Sequence, residues 1–403
     1  MGARRRLLVH LGLLVALVIC ALPTTLGSGF ARPSAPVHAV AASPTPLSSL
    51  TPSPSPSPSI VVGEPAPLSL DMAVGQMMAA SFGGPAITPG LRHLILDEKV
   101  GTVLIFADNF SDARSLARLT SDLRALGQQA GLPAPLLITV DEEGGRVMRI
   151  TEGVTALPSE LALGSGGPNA VRQAVAANAA GLYRLGVELN LAPVADLRTN
   201  PNDAVIGDRS YGGNPAIVGP LVAASVSGMH DGGVAATLKH FPGLGGAAGD
   251  PHAAIPTDYE SLSQWAATQA RSFQAGIDAG ADAVMTTAMY VPGLDPTGTP
   301  ALFSRAVVTR LLRERLQFQG VIVTDGLGMG GITTRYSLPD ATIAAVRAGN
   351  DLVLLNSDDT AYEASAIEAV KQEIQRGSIA MDQVQASAAR VIALRLRWPA
   401  VNS

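Results

Sequence analysis

An α/β fold, closed as a (β/α)8 barrel, is predicted by three observations. Eight short β-prone apolar runs recur between residues 75 and 356, longer amphipathic or capped stretches separate them, and four of the runs end on charge at the same end. The runs are continuous rather than alternating, which marks strands buried on both faces and therefore paired in parallel. The candidate strands are 75–82, 102–107, 135–141, 189–196, 235–241, 281–288, 320–325 and 351–356. Helical stretches between them include 88–97, 111–125, 170–185, 261–278 and 304–316. An open doubly wound sheet is the competing architecture. No Gly-x-Gly-x-x-Gly closes a first strand–helix turn, which counts against its nucleotide-binding form.

Ahead of the barrel, two segments of different character are expected. Residues 1–32 read as an export signal or signal anchor: Arg4, Arg5 and Arg6 precede an uncharged apolar run of 12 residues, from Leu11 to Leu22. A membrane-spanning helix needs about 20 such residues. Cys20 stands where a lipoprotein signal carries its lipidated cysteine, but the bulky Ile19 precedes it. Residues 33–67 hold 10 of the 29 prolines, with no Asp, Glu, Lys or Arg between Pro33 and Gly63. Within them, the run from Thr51 to Pro58 has no amide donor at every second position, so an extended disordered spacer is expected. The barrel itself is assigned to residues 68–403, and the chain is expected to be exported and held at or beyond the cell surface.

Composition narrows the function classes. The chain has 403 residues, 47% hydrophobic and 15% charged, with 28 Lys and Arg against 33 Asp and Glu and a net charge of −5. A core of that size needs no staples, and a single cysteine excludes a disulfide framework or a cysteine-based zinc site. No basic block interrupts the globular part, so nucleic acid is not an expected partner. Neither a cofactor nor a metal is expected, since no His-Glu-x-x-His or paired-histidine spacing occurs. The chain is expected to be a monomer that contacts a membrane only through its N-terminal segment.

In a barrel of this type chemistry is assembled at the C-terminal ends of the strands. Those ends read Asp141-Glu142-Glu143-Gly144-Gly145-Arg146 after the third run, Asp196 after the fourth, Lys239-His240-Phe241-Pro242-Gly243 after the fifth and Thr324-Asp325-Gly326 after the seventh. The segment 243–252 carries four glycines in its first seven residues and then delivers Asp250 and His252. Such a loose loop can carry a histidine over the barrel mouth, and a carboxylate two residues away can orient the imidazole. The blander reading makes Asp325 a strand-ending polar residue, Asp250-x-His252 a capped turn, Lys239-His240 a buried supporting pair, and Arg209 a local partner of Asp208. Glu142, Glu143 and Asp196 read as structural, and Trp265 and Trp398 as packing residues.

The segments 141–149, 205–211, 239–252 and 323–329 together resemble the signature blocks of glycoside hydrolase family 3, and most closely its β-N-acetylhexosaminidase branch. The blocks occur in family order over residues 71–394. The resemblance implies a TIM-type barrel acting on a carbohydrate substrate. It assigns Asp325 as nucleophile, His252 with Asp250 as general acid/base, and Asp141, Arg209, Lys239 and His240 as sugar-binding residues. Two positions depart from the family: a histidine is usual at Leu244, and a second aspartate is frequent at Gly326.

A retaining glycosidase needs a carboxylate to attack the anomeric carbon and an acid to protonate the departing oxygen. Imidazole can do the second task and then act as base. The leading expectation is an exported exo-acting β-N-acetylglucosaminidase working through a glycosyl–Asp325 intermediate on peptidoglycan or chitin fragments. Competing expectations are a β-glucosidase or β-xylosidase of the same family, a phosphorolytic enzyme, and a wall-associated sugar-binding protein without catalysis.

Overall fold

The computed structural model describes residues 67–399 except Ala204, Ala248 and Asp358. The expected signal (1–32) and spacer (33–67) lie outside the described residues, apart from Pro67. Among the described residues, no helix is long and apolar enough to cross a membrane.

Eight strands follow in chain order: β1 (Met78–Ala80), β2 (Thr102–Leu104), β3 (Leu137–Val140), β4 (Leu189–Asn190), β5 (Ala235–Phe241), β6 (Ala283–Thr286), β7 (Val321–Thr324) and β8 (Val353–Leu354). Each pairs in parallel with its sequence neighbour from β1 to β7, and β8 returns to pair with β1 through Met78↔Val353 and Ala79↔Leu354. A bridge between Val323 and Leu352 and a 3.0 Å bond from the Thr324 amide to the Leu352 carbonyl join β7 to β8, leaving a nearly closed barrel. The predicted (β/α)8 architecture is therefore observed, and the open doubly wound sheet is not.

One buried cluster draws on every strand run: Ala79, Leu104, Leu137, Leu189, Ala235, Ala283, Val321 and Leu354, with Val391 and Leu394 from the last helix. Inward-pointing residues from eight strands can meet only inside the barrel, so the interior is a packed core and not a channel. The helix Met381–Arg397 plugs its N-terminal end, where buried Arg395 donates to the carbonyls of Ala134 and Pro135. A second, larger cluster fills the layer between strands and helices. The mouth at the C-terminal ends is left for chemistry.

Three local expectations are corrected. The run 75–82 does not begin as a strand: Leu70–Gln76 is a helix, its first turn capped by the Ser69 hydroxyl accepting from the Met72 amide at 3.3 Å, and only Met78–Ala80 is extended. Gly75 lies within that helix, and it must be glycine because a Cβ there would lie 2.3 Å from the Glu98 carbonyl oxygen. The stretch 261–278 is two helices, Leu262–Ala267 and Gln269–Asp278, broken at Thr268, whose hydroxyl turns back to Glu260 and to the Gln264 carbonyl. Ala306–Arg315 is wound as a π-helix rather than an α-helix.

Candidate active site

The mouth of the barrel holds a cavity of about 200 Å³ lined by Asp141, Arg209, Lys239, His240, His252 and Asp325. Six of the seven residues singled out in the sequence thus meet in one place. The seventh, Asp250, touches His252 rather than the cavity. Leu104, Leu191, Met285 and Leu354, from the packed interior, form an apolar floor.

A charged lattice underlies one wall. Lys239, at the end of β5 and 1% exposed, reaches Asp141 Oδ1 and Glu143 Oε1, both at 2.6 Å. Glu143 also takes a two-pronged contact from Arg209, whose Nε and Nη2 donate at 2.7 and 2.8 Å. Burial alone would raise the Glu143 pKa, but the Lys239 ammonium and Arg209 guanidinium outweigh it and hold the carboxyl well below the usual range. Burial likewise opposes the charge on Lys239, yet Asp141 and Glu143 push its pKa up. Arg209 is also shifted upward by Glu143 against the effect of burial. Lys239, Arg209 and Glu143 are therefore held charged beside the cavity, each fixed by the others. Arg209 does not pair with Asp208, which is held by Arg146 Nε at 3.0 Å instead.

Asp196, completely buried after β4, sets the next residue. Its Oδ1 accepts from the His240 and Leu244 amides at 3.1 and 2.6 Å, and its Oδ2 lies 2.7 Å from His240 Nδ1. His240 Nε2 is 3.3 Å from Arg209 Nη2. A guanidinium can only donate, so the arrangement fits the tautomer with its proton on Nδ1. The Lys239–His240 peptide is cis, and both side chains line the cavity. Leu244 is buried in the cavity wall, where its amide serves Asp196.

On the opposite wall Asp325 follows β7 directly. Its amide donates to Thr286 at 2.7 Å, its Oδ2 accepts from the Thr287 hydroxyl at 2.8 Å and its Oδ1 from the Gly326 amide at 2.9 Å. The structure gives Lys239 to Asp141 and Glu143, and the donors to Asp325 are Thr287 and Gly326. Thr287 carries no signal in the sequence, because it lies inside the candidate strand 281–288, where a threonine is an ordinary strand residue.

The Asp250–His252 loop comes to the same cavity. His252 Nδ1 lies 2.8 Å from Asp250 Oδ1, which also accepts from the His252 amide at 2.9 Å. Partial burial acts to raise the Asp250 pKa, but these two hydrogen bonds from His252 outweigh it and the net shift is down. With Nδ1 engaged, His252 Nε2 is left without a partner among the described residues. The loop rests on the turn of helix after Asp325, Gly330–Thr333: the Gly331 amide donates to the Pro251 carbonyl at 3.0 Å, and a Cβ on Gly330 would lie 2.3 Å from the His252 carbonyl oxygen. Two glycines therefore let the histidine-bearing loop dock beside the nucleophile candidate.

Chemically, the cavity offers a carboxylate, an imidazole held through Nδ1, and a fixed array of hydrogen-bond donors and acceptors. Among the described residues, no group of three or more His, Cys, Asp or Glu is placed to hold a metal ion.

The family described as "Glycosyl hydrolase family 3 N terminal domain" matches residues 69–394. A β-hexosaminidase of Methylobacillus flagellatus is 36% identical over 317 residues, covering 77% of this chain and 88% of that protein. Among solved structures, a family 3 β-N-acetylglucosaminidase from Paenibacillus sp. superposes with a TM-score of 0.79 at 36% identity, over 82% of this chain and 62% of that one. A β-N-acetylhexosaminidase from Beutenbergia cavernae gives a TM-score of 0.76 at 31% identity, over 82% of this chain and 99% of that one. The chain belongs to glycosyl hydrolase family 3, and within it to the β-N-acetylhexosaminidase branch.

Proposed function

We propose that this chain is an exported, exo-acting β-N-acetylhexosaminidase that removes terminal β-linked N-acetylglucosamine from peptidoglycan or chitin fragments with retention of configuration. The observation that carries the reading is the shared cavity: Asp325 and His252 line it together with Asp141, Arg209, Lys239 and His240. Asp325, aligned by Thr287 and Gly326, attacks the anomeric carbon. His252, oriented by Asp250, protonates the leaving oxygen through Nε2 and then deprotonates the water that releases the sugar. The lattice of Lys239, Arg209, Asp141 and His240 grips sugar hydroxyls with groups that need no reorientation on binding. The buried Leu244 and the side-chain-free Gly326 leave both reacting groups at the cavity, which favours a catalyst over a binding protein. Export rests on residues 1–32.

The test is hydrolysis of an aryl β-N-acetylglucosaminide by the purified barrel between pH 5 and 8, with Asp325→Ala and His252→Ala alongside. Asp325→Ala is expected to abolish turnover. His252→Ala is expected to slow poor leaving groups far more than activated ones. Absence of wild-type turnover across this range rejects the reading. An aryl glucoside and xyloside panel, with added phosphate, separates the alternative sugars and phosphorolysis.

A further inference from the structure

Asn356 is a polar side chain in the cavity that the steps above do not use. It follows β8, lines the cavity with Asp325 and Gly326, and is half-buried. Its φ is 46°, in the left-handed region that asparagine tolerates better than most residues. Its carboxamide lies over the peptide that follows the nucleophile candidate: a Cβ on Gly326 would sit 2.7 Å from Asn356 Nδ2. The backbone closes in the same way, because a Cβ on Gly328 would lie 1.9 Å from the Asn356 carbonyl oxygen. The Leu327 amide joins the two rims by donating to Leu354 at 2.9 Å. Asn356 therefore fills the space that a side chain at position 326 would take. Its Oδ1 accepts from Ser81 Oγ at 3.5 Å, whereas Nδ2 has no acceptor among the described residues. A half-buried amide donor that lines the cavity can reach a ligand held against Asp325.

We propose that Asn356 is a specificity-determining residue, its Nδ2 donating to the substituent on C2 of the sugar held against Asp325. This rests on the hydrolase reading and names the part of the substrate that the site inspects. A side chain beside the attacking carboxylate faces the atoms next to the anomeric carbon, namely the ring oxygen and C2. The ring oxygen becomes electron-poor in the oxocarbenium-like transition state and is a poor acceptor there. The oxygen on the C2 substituent remains a good one. An amide donor suits a neutral acceptor such as an acetamido carbonyl, whereas a carboxylate at this position would instead favour a 2-ammonium group. A carboxylate at position 326 would occupy the same space and capture Nδ2 for itself, so the glycine there keeps the donor available.

Three variants test this on a pair of aryl substrates, the β-N-acetylglucosaminide and the β-glucosaminide. Asn356→Gly removes the donor without opposing the left-handed backbone. Asn356→Asp keeps the shape and replaces the donor by a carboxylate. Gly326→Ala places its methyl against the flexible end of Asn356 and displaces Nδ2. Asn356→Gly and Gly326→Ala are each expected to lower kcat/KM on the N-acetylated substrate about tenfold, the scale of one lost hydrogen bond. Asn356→Asp is expected to shift the ratio of the two substrates about tenfold toward the glucosaminide. Ratios within about twofold of wild type in all three, with wild type active on the N-acetylated substrate, overturn the proposal and leave the hydrolase reading standing. A wild type that turns over neither substrate overturns both.

Discussion

Glu142 offers the sharpest test of the physical account of this barrel. Completely buried after β3, it accepts from the Arg149 and Ile150 amides at 2.7 and 3.1 Å through Oε2, so it ties down the chain segment that leads away from the site. Its Oε1 has no hydrogen-bond partner, and neither has Asn178 Oδ1. The two side chains are neighbours, and Asn178 Nδ2 is spent on the Thr155 carbonyl at 2.8 Å. Burying an ionised carboxylate with one oxygen unpartnered is costly, which favours a protonated Glu142. Burial pushes its pKa from 4.5 up to about 7, against the pull of the two amides, Arg149 and the Asn178 side chain. Because the folded pKa is raised, the stabilisation is complete below pH about 4.5 and is lost between there and about 7. At about 1.4 kcal/mol per pKa unit, the loss approaches about 3 kcal/mol by pH 8. Glu142→Gln carries a permanent N–H in place of that proton. The variant is expected to gain about 2–3 kcal/mol on wild type between pH 5 and pH 8, read as the difference in urea-unfolding free energy at the two values. Glu188, also pushed by burial to about 7, titrates in both proteins and cancels in that difference. Parallel pH–stability curves for wild type and variant would refute a protonated Glu142.

Three further outcomes follow from the site. Glu143→Gln leaves Lys239 and Arg209 buried with too little negative charge, and urea unfolding is expected to show a loss of about 3–5 kcal/mol; a change below about 1 kcal/mol would mean that the lattice is not coupled as drawn. Asp250→Asn keeps an acceptor for the His252 amide but removes the carboxylate that holds the imidazole, so kcat on poor leaving groups is expected to fall about 10²-fold with little change on activated aryl substrates. Equal losses on both leaving groups would assign Asp250 to folding instead. Gly331→Ala puts a methyl 2.4 Å from the Pro251 carbonyl oxygen, a backbone atom that cannot turn aside. It is expected to lift the His252 loop, reproducing the leaving-group pattern of His252→Ala, with faster proteolytic cleavage between residues 243 and 252 as the structural readout.

Much of this molecule is legible in the sequence, because barrel architecture is written locally. Continuous apolar runs, their spacing and the charges that end them in phase follow from burial on two faces and from where parallel strands must stop. The same logic brought Asp141, Lys239, His240, His252 and Asp325 to one mouth from segments far apart in the chain. What the linear order did not contain was pairing across the ring. Arg209 takes Glu143 rather than its neighbour Asp208, Asp325 takes Thr287 from the neighbouring strand run, and Asn356 fills the space above Gly326, because those distances depend on strand register and closure. Nor could apolar content separate the opening helix from β1, since Gly75 is required by the backbone packed against it and not by the helix itself. Short-range pattern determined the scaffold and the roster of reactive groups; only the closed barrel decided which of them touch.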